Sequence, residues 1–230
     1  MRRIGLVVLL GLVAIACGSD GDDRPTAKPQ NVRAAVERAQ LVVEDLGGDW
    51  KLTSTEPPGT KDTGDQALEK CVGRQLDVVD QTVVESEIRT FERGAEISQQ
   101  QVVSSSAAFE GDDRVKRLFE VVGARRFADC MATSFENRVR AEAGPDGGLS
   151  LDAGTPSVTR PTFVGADRSV HITAPVKVQF DLEVLDGRFD VVLLSTGRVV
   201  SMLLGFSVGE PIPPLQLIHL TKLLRDRQEG

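Results

Sequence analysis

The sequence predicts an α+β domain, an antiparallel β-sheet with helices packed on one face, tied by one disulfide. Three observations carry this. Val170, Ile172, Ala174, Val176, Val178, Phe180, Leu182 and Val184 alternate with polar residues, the period of a strand with one face on a core and one in water. Leu217, Leu220 and Leu224 recur at helical spacing within a last segment, Leu215 to Arg227. Cys71 and Cys130 remain as an even pair once Cys17 is set aside.

The bulk composition fits one globular domain. The chain has 230 residues, 40% hydrophobic and 27% charged, with a net charge of −7. A single core suits that size. An acidic balance argues against a nucleic-acid partner and against direct adhesion to anionic lipid headgroups.

Met1 to Asp20 reads as an export address. Arg2 and Arg3 precede an apolar run from Ile4 to Ala16, and small Ala14 and Ala16 flank Ile15 just before Cys17. This layout resembles the lipobox of bacterial lipoproteins, with Ala14 where that family usually has Leu. The resemblance implies that the thiol of Cys17 receives a diacylglyceryl group and becomes the first residue of the mature protein. The divisions expected are a signal peptide over residues 1–16, a disordered tether over 17–30 and a single extracytoplasmic domain over 31–230. An uncleaved anchor is the competing reading, but a run of thirteen residues spans only about 20 Å of a ~30 Å hydrocarbon core. Export without lipidation is the other. Loss of Arg2 and Arg3 with the leader moves the net charge from −7 to −9.

In an oxidising compartment Cys71 and Cys130 either bridge or stay as two buried thiols, and export favours the bridge. No histidine or second cysteine pair stands beside them, so a metal reading fails.

Along the body, Asn31 can cap a helix carrying Val32, Val36, Ala39, Val43 and Leu46, which Gly47-Gly48 stops. Trp50 and Leu52 begin a short extended piece, and a second helix is expected from about Asp65 to Gly73. Val83–Arg93 and Ile97–Phe109 read as a hairpin turning at residues 93–96. Gly111-Asp112-Asp113 opens a helical stretch that Gly123 divides into two helices or kinks. Residues 143–148 read as a loop, either linking two halves or starting an excursion to Pro156. After the alternating strand, with Pro175 marking a bulge or an edge, Asp186-Gly187 is the hairpin signal. Phe189–Leu194 and Val199–Phe206 complete a three-stranded meander turning again at Thr196-Gly197.

The chemistry-bearing residues point away from catalysis. His171 lies on the polar side of a strand and His219 in an amphipathic helix, neither with a carboxylate or thiol at ligand spacing. Ser104-Ser105-Ser106 lacks the surroundings of a nucleophile elbow, and the glycine pairs lack the lysine of a phosphate loop. No cofactor and no metal are expected. Met131, Phe135, Met202 and Phe206 are adaptable apolar residues on the expected helix and strand, and could line an apolar pocket or form ordinary core.

Phe127-Ala128-Asp129-Cys130, the upstream Cys71 and the strand ending Asp190-Val191-Val192-Leu193-Leu194 carry a second resemblance. A cysteine-bearing helix bridged to an earlier one, then antiparallel strands and a leucine-rich helix, is similar to the extracellular sensor domains of actinobacterial serine/threonine kinases and related lipoproteins. It spans about Val32 to Arg227. Kinase-linked members tend to carry two disulfides, whereas this chain can make one. The resemblance implies a non-catalytic, sensor-like binding module held at the cell membrane, on its extracytoplasmic side, through an N-terminal lipid. The alternatives are an envelope protein that docks an exported partner, or a carrier of an apolar ligand between sheet and helices.

Overall fold

The structure is a computed structural model that describes residues 29–58, 63–73, 82–95, 98–143, 149–180 and 182–229. The lipid-attachment position Cys17 and the expected leader lie outside the described residues. The elements in chain order are α1 (Pro29–Arg38), α2 (Val43–Leu46), β1 (Lys51–Glu56), α3 (Thr63–Val72), β2 (Thr82–Glu85), β3 (Ile88–Ala95), β4 (Ser98–Phe109), α4 (Asp112–Val122), α5 (Arg125–Ala143), β5 (Leu149–Ala153), β6 (Ser157–Thr159), β7 (Arg168–Phe180), β8 (Glu183–Thr196), β9 (Val199–Val208) and α6 (Pro214–Glu229). The described strands form a nine-stranded sheet in the order β1-β3-β4-β9-β8-β7-β5, with β2 paired to β4 and β6 to β7. Every pairing is antiparallel. Among the described strands, those before α4 and those from β5 to β8 are joined only through β9.

The antiparallel sheet, the helices and the bridge between the cysteines are as expected, but the helices cover both faces rather than one. Successive residues of a strand point to opposite faces. Val191 and Leu193 enter a core with Leu118, Phe127, Met131 and Phe135 from α4 and α5. Val192 and Leu194 enter another with Trp50 and with Leu217, Leu220 and Leu224 of α6. A third cluster seats Val32, Ala35 and Val36 of α1 on Ala108 and Val199. This two-sided burial explains why β8 and β9 are runs of apolar residues and not alternations. β7 keeps its alternation because only its Val170–Val178 side is covered.

The expected single helix from residue 31 to 46 is broken in two, and it starts earlier, at Pro29, inside the stretch assigned to the tether. Proline suits a first helical turn, where its missing N–H had no partner. The break follows from capture of three successive carbonyls by side chains elsewhere. Ala39 O accepts the Ser106 hydroxyl, Gln40 O accepts Arg227 Nη1 and Leu41 O accepts Arg89 Nη1 at 3.1 Å. Leu41 is thereby turned wholly into the core beside α6. Asp45 holds the other end of the break, accepting Arg227 with both oxygens at 2.7 Å.

Other boundaries move. The strand expected over Val83–Arg93 is two, β2 and β3, interrupted at Ser86-Glu87, and both pair with β4. Ser86 Oγ accepts the Ser106 N–H at 2.8 Å at that interruption. Their hairpin closes at Ala95↔Ser98, later than the expected turn. The β7–β8 hairpin closes at Phe180↔Glu183, so Asp186-Gly187 lies inside β8, opposite Lys177 and Val176. Gly187 is needed there for close approach. A Cβ would meet Ser207 O and, at 2.8 Å, Val176 Cγ2. Leu182 and Val184 are consequently exposed, not inward-facing. Residues 144–148 of the expected loop lie outside the described residues, and in place of an excursion to Pro156 the chain forms the edge strands β5 and β6, split opposite Pro175. Pro175 O accepts the Gly154 N–H at 2.9 Å, so its absent N–H faces that same gap. Gly123 separates two helices. Gly197, at φ +56°, makes the two-residue turn between Thr196 and Val199.

Candidate functional site

Cys71 at the end of α3 is bonded to Cys130 in α5, with Cα atoms 5.6 Å apart and the two residues 59 positions apart in sequence. α3 reaches the core through Leu68 and Val72. The bridge and those two side chains fix it against α5. Arg126 Nη2 adds a bond to Cys71 O at 3.0 Å.

The four apolar residues singled out from sequence lie in one buried cluster. Met131, Phe135, Met202 and Phe206 are each at most 6% exposed. The Phe135 ring meets Phe206 edge-on at 5.1 Å and Phe189 at 5.7 Å. Phe189, not singled out before, completes this aromatic contact between α5 and the sheet. Of the four, only Met202 also lines a recess of about 40 Å³. That recess opens where β2 and β3 part, and runs past Glu85, Ser105, Ile88 and Phe109 toward Leu118 and Leu193. It has room for only a few water molecules. Burial pushes the Glu85 carboxyl above its ordinary value, partly offset by the hydrogen bond it accepts from Thr82 Oγ1 at 2.5 Å.

A polar constellation lies elsewhere, on the strip of sheet that α6 leaves uncovered. Asp190 of β8 is 4% exposed, and its Oδ1 accepts both His171 Nε2 of β7 and Arg188 Nη2, each at 2.8 Å. The carboxylate therefore places the imidazole proton on Nε2. Gly205 stands opposite Asp190 on β9, under Leu217 and Ile212. Burial alone raises the Asp190 carboxyl, but the hydrogen bonds and charges of His171 and Arg188 outweigh it and the pKa falls below its ordinary value. Thr173, directly across from Asp190, and Pro175, across from Arg188, extend the strip outward. His171 is thus not a purely solvent-facing residue. It lies 19 residues from Asp190 in sequence, and only the hairpin register reveals the pair.

His219 is exposed on α6. Among the described residues no three His, Cys, Asp or Glu side chains come together as a metal site, and no helix is long and apolar enough to cross a membrane. Arg188 gives the His171–Asp190 pair a third, charged partner.

No family model matches the chain, and no curated protein does. Among solved structures, the extracellular domain of PknH from Mycobacterium tuberculosis is similar over 90% of this chain and 99% of its own. The identity is 12% and the TM-score 0.40, too slight to transfer a role.

Proposed function

We propose that this chain is an extracytoplasmic binding or sensor-like module of the bacterial cell envelope, anchored by lipid at Cys17 and without catalytic activity. The observation that carries the compartment is the Cys71–Cys130 bridge, because such bonds persist outside the reducing cytoplasm. The lipobox-like leader supports the anchor, and the three-membered polar cluster on the uncovered strip is the surface best suited to recognition. A carrier of apolar ligands has less support. Phe135, Phe189 and Phe206 fill the space between α5 and the sheet, and the recess at β2 is small.

The test is export of the whole chain in a bacterial host, with a labelled fatty acid supplied. The mature protein is expected to begin at Cys17, to carry the label, to sediment with membranes and to gain two thiols on reduction. Cys17→Ala is expected to abolish the label and release the protein. Unprocessed chain in the cytosol with both remaining thiols free would overturn the proposal.

A further inference from the structure

Among the described residues β1 pairs with β3 alone, so its other side is a sheet edge. It is six residues long and has one charge at each end, Lys51 and Glu56. Its pairing slips between Leu52 and Ser54, leaving Thr53 as an extra residue. On a regular strand, residues five apart point to opposite faces. The bulge cancels that difference. Lys51 lies opposite Glu92 and Glu56 opposite Ile88, two β3 residues four apart and therefore on one face. Leu52, opposite Phe91, and Thr55, opposite Arg89, share the other face.

We propose that β1 pairs antiparallel with β1 of a second copy of this chain, about a two-fold axis between Thr53 and Ser54. In this register Lys51 lies opposite the partner's Glu56, and Leu52 opposite the partner's Thr55. Each pair joins residues of the same face, which a shift by one residue would destroy. The whole strand is used, and the symmetry makes both end contacts occur twice. Leu52, 46% exposed in the single chain, gains a cross-strand neighbour. Ser54 Oγ donates to Glu56 Oε1 at 3.2 Å, leaving the other carboxylate oxygen for the partner's Lys51.

Natural sheets guard their edges with bulges, prolines and charges. Here the bulge aligns the two opposite charges, and Pro57-Pro58 follow the strand without interrupting it. The far edge lacks this continuity, since β5 and β6 are separated opposite Pro175. The pairing does not depend on lipid at Cys17.

Sedimentation equilibrium of the whole chain in detergent tests the pairing, together with Lys51→Glu and Glu56→Lys. The unaltered chain is expected to form a reversible dimer as its concentration rises. Each substitution alone sets like charges at both ends and is expected to weaken association about tenfold or more. An equimolar mixture of the two variants is expected to recover the dimer, because each supplies the charge the other lacks. That recovery also controls for misfolding. A chain that stays monomeric throughout, a dimer indifferent to both substitutions, or a mixture that does not recover would overturn the pairing.

Discussion

Asp190 Oδ1 lies 2.8 Å from His171 Nε2 although the two residues are not opposite each other in the β7–β8 hairpin. His171 faces Val192 and Asp190 faces Thr173, so the bond is a diagonal across the ladder. The same oxygen takes Arg188, which concentrates three ionisable groups at one buried carboxylate.

Stability should therefore depend on that carboxylate in a defined pH window. Its folded pKa is depressed, so it favours folding above its unfolded value of about 3.9, and the contribution fades as pH falls through that value and then the folded one. Asp190→Asn should destabilise the fold by about 1–3 kcal/mol at neutral pH. It should also flatten the acid limb of the stability curve. Urea unfolding at neutral and acid pH measures both, and an acid limb as steep as the parent's would assign the acid sensitivity to other groups.

Little of this constellation was legible in sequence, and the reason is a single turn. With the reversal placed at Asp186-Gly187, His171 pairs beyond the hairpin and never meets Asp190. The true closure at Phe180↔Glu183 brings them together. Asp-Gly is a strong turn signal, but Gly187 answers a different demand, the close approach of Ser207 and Val176. The alternation expected from Val170 to Val184 holds from Val170 to Val178, where one face of β7 stays wet, and fails at Leu182 and Val184 beyond the true turn. The unbroken apolar run Val191–Leu194 hid the second helical layer, since periodicity does not show how many faces are covered. The helix break after Arg38 left no local trace, because its causes, Ser106, Arg89 and Arg227, are distant in sequence.

The bridge between Cys71 and Cys130 joins residues 59 positions apart in sequence. In the chain-entropy model its loss removes about 4 kcal/mol. Denaturant unfolding with and without reductant should show that difference, and Cys71→Ser with Cys130→Ser should reproduce the reduced state. Equal midpoints would mean that α3 holds its place through Leu68 and Val72 alone.

Phe135 is a side chain through which α5 grips the sheet, meeting Phe206 edge-on and Phe189 at a tilt. Phe135→Ala should cost about 3–5 kcal/mol. Phe135→Leu should cost less than the alanine change, because it keeps most of the buried volume. Thermal or chemical melts of both variants check the order, and equal losses would point to ring geometry as the main factor.

Gly187→Ala tests the close approach inside β8. The added methyl meets Ser207 O and Val176 Cγ2, so it should destabilise by about 1–3 kcal/mol despite the better strand propensity of alanine. Val176→Ala in the same chain should relieve part of the crowding. A double-mutant cycle reads the coupling, and simple additivity would place the strain on Ser207 alone.

The position of β9 sets a kinetic boundary. It is the last of the described strands to be synthesised, yet it is the seam that joins β4, about a hundred residues upstream, to β8. Until the ribosome has passed Val208, the nascent polypeptide holds two incomplete ribbons with their widest apolar flanks unmatched. Such a chain stays pliant until β9 has been made and then commits to its native shape in one long-range zipping event.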